Sequence, residues 1–91
     1  MFVLYTRLSG QFCVSVDERW EDPEFNWSPW LADSAHIEHE ADAVHLATEV
    51  QRLRRKEGRL YLDCEVLRLL PDGRPDFNNP VLVLPQWRDV H

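Results

Sequence analysis

Three glycines among 91 residues leave no room for a Gly-rich phosphate loop or a dinucleotide fingerprint. No low-complexity tract is present, which argues against a disordered chain. Cysteine is equally sparse. Cys13 and Cys64 stand far from Cys-x-x-Cys spacing, which excludes the common zinc and thiol-redox signatures. Both sit in alternating apolar runs, where they either face one another across a sheet as a disulfide or stay as buried thiols. A reducing compartment favours the thiols. No apolar run approaches the ~20 residues that span a bilayer, so no membrane association is expected. The start, Met-Phe-Val-Leu-Tyr-Thr-Arg, lacks the charged, long apolar and small-residue parts of a signal peptide, and the expected location is cytoplasmic. The four serines, Ser9, Ser15, Ser28 and Ser34, lack the glycine-flanked elbow of a hydrolase. Basic residues are outnumbered: 10 Lys and Arg against 16 Asp and Glu, a net charge of −6. That balance disfavours direct nucleic-acid binding, which needs a cationic surface.

What is present is an ordinary globular composition, 44% apolar and 29% charged, at a length that suits one domain over residues 1–91. Such a chain buries roughly 60–65% of its unfolded surface, enough for one core without staples. Its charge is unevenly placed. From Asp17 to Glu49 there are ten acids and one base, Arg19, a net −9. Trp20, Phe25, Trp27 and Trp30 lie in the same stretch. From Val50 to Arg68 the sign reverses to +3, with six bases against three acids.

Periodicity supplies the elements. Residues 2–8 and 12–16 alternate and predict two strands that pair as an antiparallel hairpin through Ser9-Gly10-Gln11, with Phe12, Val14 and Val16 on one face. Asp17 to Asp33 has no period and contains Pro23 and Pro29. It reads as a long loop with room for a short strand near Trp27–Leu31, and loops of that length are often functional. Ala43, Leu46, Ala47, Val50 and Leu53 recur at helical spacing. Acids at the start, bases at the end and Gly58 as terminator bound a helix at 40–57, with His39 near the cap. Residues 59–70 alternate and then slip at Val66–Leu67, which predicts a strand with a β-bulge or one passing from half-buried to fully buried. Pro71-Asp72-Gly73 is a turn. Val81–Leu84, fenced by Pro80 and Pro85, is a short edge strand, and Trp87 is expected to fold back onto the body. The fold class is α+β: a mainly antiparallel sheet of four to five strands with one long helix on one face, in the order ββ(β)αββ. Leu46, Val50 and Leu53 are expected to pack on Phe12, Val14, Leu62 and Val66.

The hairpin, the Trp-bearing stretch (Trp27, Trp30) and Ala35-His36-Ile37-Glu38-His39-Glu40-Ala41-Asp42-Ala43 leading into helix and strand resemble a recurrent ββαβ module of small accessory proteins of bacteria and phages. The likeness spans roughly Met1 to Leu70, with His39 where that module usually has a Ser or Thr cap. Size and acidity are similar to those of anti-CRISPR and other anti-defence proteins. The resemblance implies action by surface binding and assigns no functional residue.

Three constellations compete for function. His36, His39 and His45 lie among Glu38, Glu40, Asp42 and Glu49, a set whose chemistry suits a divalent metal but whose spacing matches no established motif. No metal, cofactor or catalytic residue is assigned. Arg52, Arg54, Arg55, Lys56 and Arg59 read first as a helix end matched to its dipole. The acidic, aromatic stretch reads as core packing and as a contact surface together. The favoured expectation is a non-enzymatic inhibitor or interaction module. It is a monomer or homodimer that presents Asp17, Glu18, Trp20, Glu21, Asp22, Glu24, Phe25, Trp27, Asp42 and Glu49 to a basic, nucleic-acid-handling surface on a larger protein. Anti-CRISPR, antitoxin and immunity proteins share that physics. The alternatives are a small metal-dependent enzyme built on the three histidines and a homodimeric assembly subunit.

Overall fold

A computed structural model describes residues 1–19, 22–59 and 63–84, with the side chains of Glu18 and Arg19 left aside. β1 (Phe2–Thr6), β2 (Gln11–Arg19), β3 (Asp22–Ser28), β4 (Cys64–Arg68) and β5 (Leu82–Leu84) form one antiparallel sheet in the order β3-β2-β1-β4-β5. One long helix, α1 (Glu40–Lys56), packs across β1, β4 and β5. The α+β class and the antiparallel sheet with one helix are therefore as the periodicity predicts.

The helix owes its ends to its sequence. Glu40 and Asp42 sit in the first turn and Arg54, Arg55 and Lys56 in the last, each matched to the dipole. His39 occupies the N-cap position, but its side chain makes no capping bond. Gly58 ends the helix at φ +72°, its N–H donating to the Arg55 carbonyl while the Arg59 N–H reaches the Arg54 carbonyl. Ala43, Ala47, Val50 and Leu53 are buried, and Leu46 packs half-buried against the same cluster. Gln51, absent from the predicted apolar face, is buried with them.

Asp17 to Asp33 is not a loop, and its strand lies at Asp22–Ser28 rather than near Trp27–Leu31, since Leu31–Asp33 forms a 3-10 turn. β2 runs on to Arg19 and turns back as β3, pairing Asp17 with Glu24 and Glu18 with Pro23. The polar run hides the alternation because β3 is an edge strand and one of its faces is wet. Pro23 is tolerated for the same reason, since an edge has outward positions where an N–H is not needed. A bulge between Cys13 and Ser15 shifts the register and flips the phase of β2. Phe12 consequently faces away from the helix with Val3 and Leu67, whereas Cys13 and Val16 face it with Phe25 and Trp27. The expected common face for Phe12, Val14 and Val16 is thus corrected, and Phe12 does not meet the helix.

Where β1 and β2 diverge, residues 35–37 fill the fork. Ile37 exchanges backbone bonds of 2.7 and 2.8 Å with Phe2, and the Ala35 N–H donates to Cys13 at 2.9 Å. β4 keeps an unbroken register with β1 from Glu65 to Arg68. The apparent slip at Val66–Leu67 is therefore not a bulge there. Cys64, Glu65, Val66 and Leu67 are all buried because β4 is covered on both faces. The second cover is the 70–80 turn region, whose Phe77 ring stands edge-on to Tyr5 at 5.2 Å. Arg7 fastens it, donating to both oxygens of buried Glu65 at 2.8 and 2.9 Å and to the Phe77 carbonyl at 3.2 Å. The expected Leu62 contact, Trp87 and the strand's beginning at residues 60–62 lie outside the described residues.

Cys13 and Cys64 are free, buried thiols on the helix side of the sheet, with β1 between their strands. Burial pushes the Cys13 thiol up to about 11 and the Cys64 thiol to about 12, so both are protonated at neutral pH. No described helix is long and apolar enough to cross a membrane.

Candidate interaction surface

The β2–β3 hairpin sorts its acids onto two sides. On the helix side, Asp22 accepts from Arg52 at 3.2 Å and from Lys56 at 2.7 Å, and Glu49 accepts from Arg52 at 2.7 Å. Lys56 and Arg52 hold the Asp22 carboxyl below its ordinary range, and Arg52 does the same to Glu49. The acidic hairpin and the basic helix end thus neutralise each other across the groove. Asp22 and Glu49, both expected to face a partner, are instead tied to the protein's own bases.

The other side is different. Ser28 lies opposite Phe12, so Ser28, Asn26 and Glu24 follow one another on the face away from the helix. Asn26 donates to Ser15 and to Asp17, each at 3.0 Å, which places both on that face. Exposed Glu24 stands directly opposite Asp17, a cross-strand pair of like charges. Ser28 donates to Asp33 at 2.9 Å and accepts from the Trp30 N–H at 3.2 Å. A carboxylate row, Asp33, Asp17 and Glu24, therefore runs along this face. Trp30 stands at its end, 69% exposed and the most exposed large apolar residue described.

Trp30 is outside because its neighbour is inside. Leu31 opens the short 3-10 turn Leu31–Asp33 and packs against Val3, Phe12 and Leu67, which leaves the indole in solvent. The expected aromatic contacts go the other way. Phe25 and Trp27 are half-buried against the helix-side core. Arg54 lies over the Trp27 ring, 5.1 Å from its centroid, and donates to the Asp63 carbonyl. Two contiguous clefts of about 570 and 440 Å³ open around this Trp27–Arg54 contact. Trp20 and Glu21 lie outside the described residues, and only the backbone of Glu18 is described.

Asp42 is exposed in the first turn of α1, far along the helix from Glu49. His36, His39 and His45 are exposed around the same end. Among the described residues no three His, Cys, Asp or Glu side chains gather closely enough to hold a metal ion. The structure therefore places Asp17, Glu24 and Asp33 on this face together with the unforeseen Trp30. It separates from them Asp22, Phe25, Trp27, Asp42 and Glu49. The sequence signal is Trp30 followed by Leu31, two adjacent large apolar residues past the end of β3, of which Leu31 packs inward as the 3-10 turn begins and Trp30 stays in solvent. The chain matches no protein-family model, no curated protein and no solved structure.

Proposed function

We propose that this chain is a non-enzymatic interaction module that docks on a basic surface of a larger protein. The docking face is the side of the β2–β3 hairpin turned away from the helix. The observation that carries this reading is the exposure of Trp30 near Asp33, both bonded to Ser28 on the face that carries Asp17, while Arg52 and Lys56 are engaged by Asp22. An indole rimmed by carboxylates suits a partner with an apolar notch among arginines and lysines. The natural target class is a nucleic-acid-handling protein, because spaced carboxylates compete with phosphates for the same cations. An inhibitor of the anti-defence, antitoxin or immunity kind is the sharpest form of the proposal.

A photo-crosslinking amino acid placed at Trp30 tests it in cells of the native host. The expected result is one dominant adduct to a basic protein, lost when Glu24 and Asp17 are replaced by Lys. Adducts only to a second copy of this chain would replace the proposal with a homodimeric assembly role.

A further inference from the structure

We infer that the docking face selects arginine: a guanidinium of the partner stacks on the Trp30 indole and donates to the Asp33 carboxylate. This rests on the reading above and names the side chain that the face recognises. Three hydrogen bonds close on one another around Ser28. The Trp30 N–H donates to the Ser28 hydroxyl at 3.2 Å, that hydroxyl donates to Asp33 Oδ2 at 2.9 Å, and the Asp33 N–H donates to the Trp30 carbonyl at 3.1 Å. Pro29 fixes φ inside this ring of bonds. Leu31, packed against Val3, Phe12 and Leu67, anchors it to the body. The Trp30 backbone and the Asp33 carboxylate are thus held as neighbours before any ligand arrives, which leaves little ordering to oppose binding.

Neither group is used by the fold. Among the described residues, Arg7 lies over Tyr5 and Phe77, Arg54 over Trp27 and Arg68 over Phe2, and no cation lies over Trp30. Asp33 takes part in none of the described ion pairs, and Ser28, its side-chain partner, is neutral. The carboxylate is therefore oriented without losing its charge. The molecule uses the inferred mode twice inside itself. Arg54 covers the Trp27 ring while donating to the Asp63 carbonyl, and Arg7 covers Tyr5 while donating to Glu65. A guanidinium suits such a pairing because it is planar, stacks on aromatic faces and carries five donors for an oxygen alongside. Trp is the best aromatic partner for a cation. A lysine ammonium is a strongly hydrated point charge and gains mainly from the carboxylate. Asp17, held by Asn26 at 3.0 Å further along the face, adds charge that serves either cation.

The test titrates the full chain with two blocked peptides of four basic residues separated by serines, one built with arginine and one with lysine. NMR follows the backbone amides and the indole N–H signals, Trp30 being assigned by its loss in Trp30→Leu. The arginine peptide should bind about two- to fivefold tighter than the lysine peptide, as an exposed cation–π contact allows. Its shifts should centre on Ser28, Trp30 and Asp33. Trp30→Leu should abolish the preference and leave salt-dependent binding of both peptides. Asp33→Asn, which keeps an acceptor for Ser28, should weaken the arginine peptide more than the lysine one, whereas Asp17→Asn should weaken both alike. Unchanged amide signals away from residues 28–34 check that each variant is folded. Equal affinity of the two peptides for the wild type, with shifts on this face, overturns arginine selection and leaves the basic-partner reading standing. An arginine preference that survives Trp30→Leu overturns it in the same way. Shifts confined to another face, such as the acids at the start of α1, overturn the inference and the docking face together. Binding of neither peptide overturns the inference, and the crosslink at Trp30 then decides the wider reading by itself.

Discussion

Arg7 and Glu65 lie 58 positions apart in the chain and meet as a two-pronged ion pair, the glutamate nearly buried and the arginine half in solvent. The partnership raises the Arg7 guanidinium pKa above its ordinary value, through its bonds to Glu65. Arg7→Ala should destabilise the protein by about 1–3 kcal/mol, because a buried carboxylate loses its donors. Solvent access on the arginine side limits the cost. Arg7→Lys should recover only part, since a point charge cannot fork. Urea denaturation measures both, and an Arg7→Ala protein as stable as the wild type would refute the clamp. Nothing in the sequence marks this pair, because a long-range partner leaves no periodic trace. Val50 and Leu53, in contrast, were legible from helical spacing alone. The cysteines give a second test at this scale. Burial raises both thiols to about 11 and 12, so the folded chain resists ionising them while the unfolded chain ionises near 9. Their contribution to stability is full below pH 9 and is lost as pH rises toward 11–12. A thiol reagent at neutral pH should label neither cysteine in native protein and both in urea. Rapid native labelling would contradict their placement.

At the scale of the element, α1 and the first hairpin could be read from the chain, and the second hairpin could not. α1 announces itself by a single spacing, charged ends and Gly58. β3 carries Asp22, Pro23, Glu24 and Asn26, residues that strands usually avoid, and its stability comes from β2 and from tertiary contacts. The bulge after Cys13 adds a second obstacle, since it breaks the alternation that would have revealed the core face. One tertiary contact is electrostatic: Lys56 and Arg52 on α1 hold Asp22 at the turn end of the hairpin. Their bonds lower the Asp22 pKa from an ordinary 3.8, and Arg52 lowers Glu49 from 4.5. A depressed carboxyl stabilises the fold above its unfolded pKa and ceases to do so as pH falls through the folded value. The wild type should therefore lose stability below about pH 4 more steeply than Asp22→Asn does. Acid titration of the thermal midpoint checks this, and parallel curves would show that the bridge adds nothing.

The whole molecule is a small sheet with unequal faces and an uneven charge. The sequence displays the asymmetry plainly, ten acids against one base between Asp17 and Glu49, but not how folding divides it. Folding turns part of the acid inward onto α1 and leaves Asp17, Glu24 and Asp33 on the far side with Trp30. That division needs the hairpin's register, which one extra residue in β2 controls, so no count of charges along the chain contains it. Reversing Asp22 would break an internal bridge and confuse folding with binding. Asp17 and Glu24 face each other across the hairpin and can be reversed together, keeping a like-charge pair in either sign. The decisive measurement is the affinity of the crosslinked partner for wild type and for Asp17→Lys/Glu24→Lys, at 50 and 500 mM salt, where the Debye length is ~14 and ~4 Å. The double variant should bind at least about tenfold more weakly at low salt, mostly through a slower association rate, with the gap narrowing at high salt. The thermal midpoint should stay within about 5 °C, as surface charges usually shift stability by under ~0.5 kcal/mol each. A double variant of unchanged midpoint that binds the partner as tightly as the wild type at low salt would show that this face is not the docking surface.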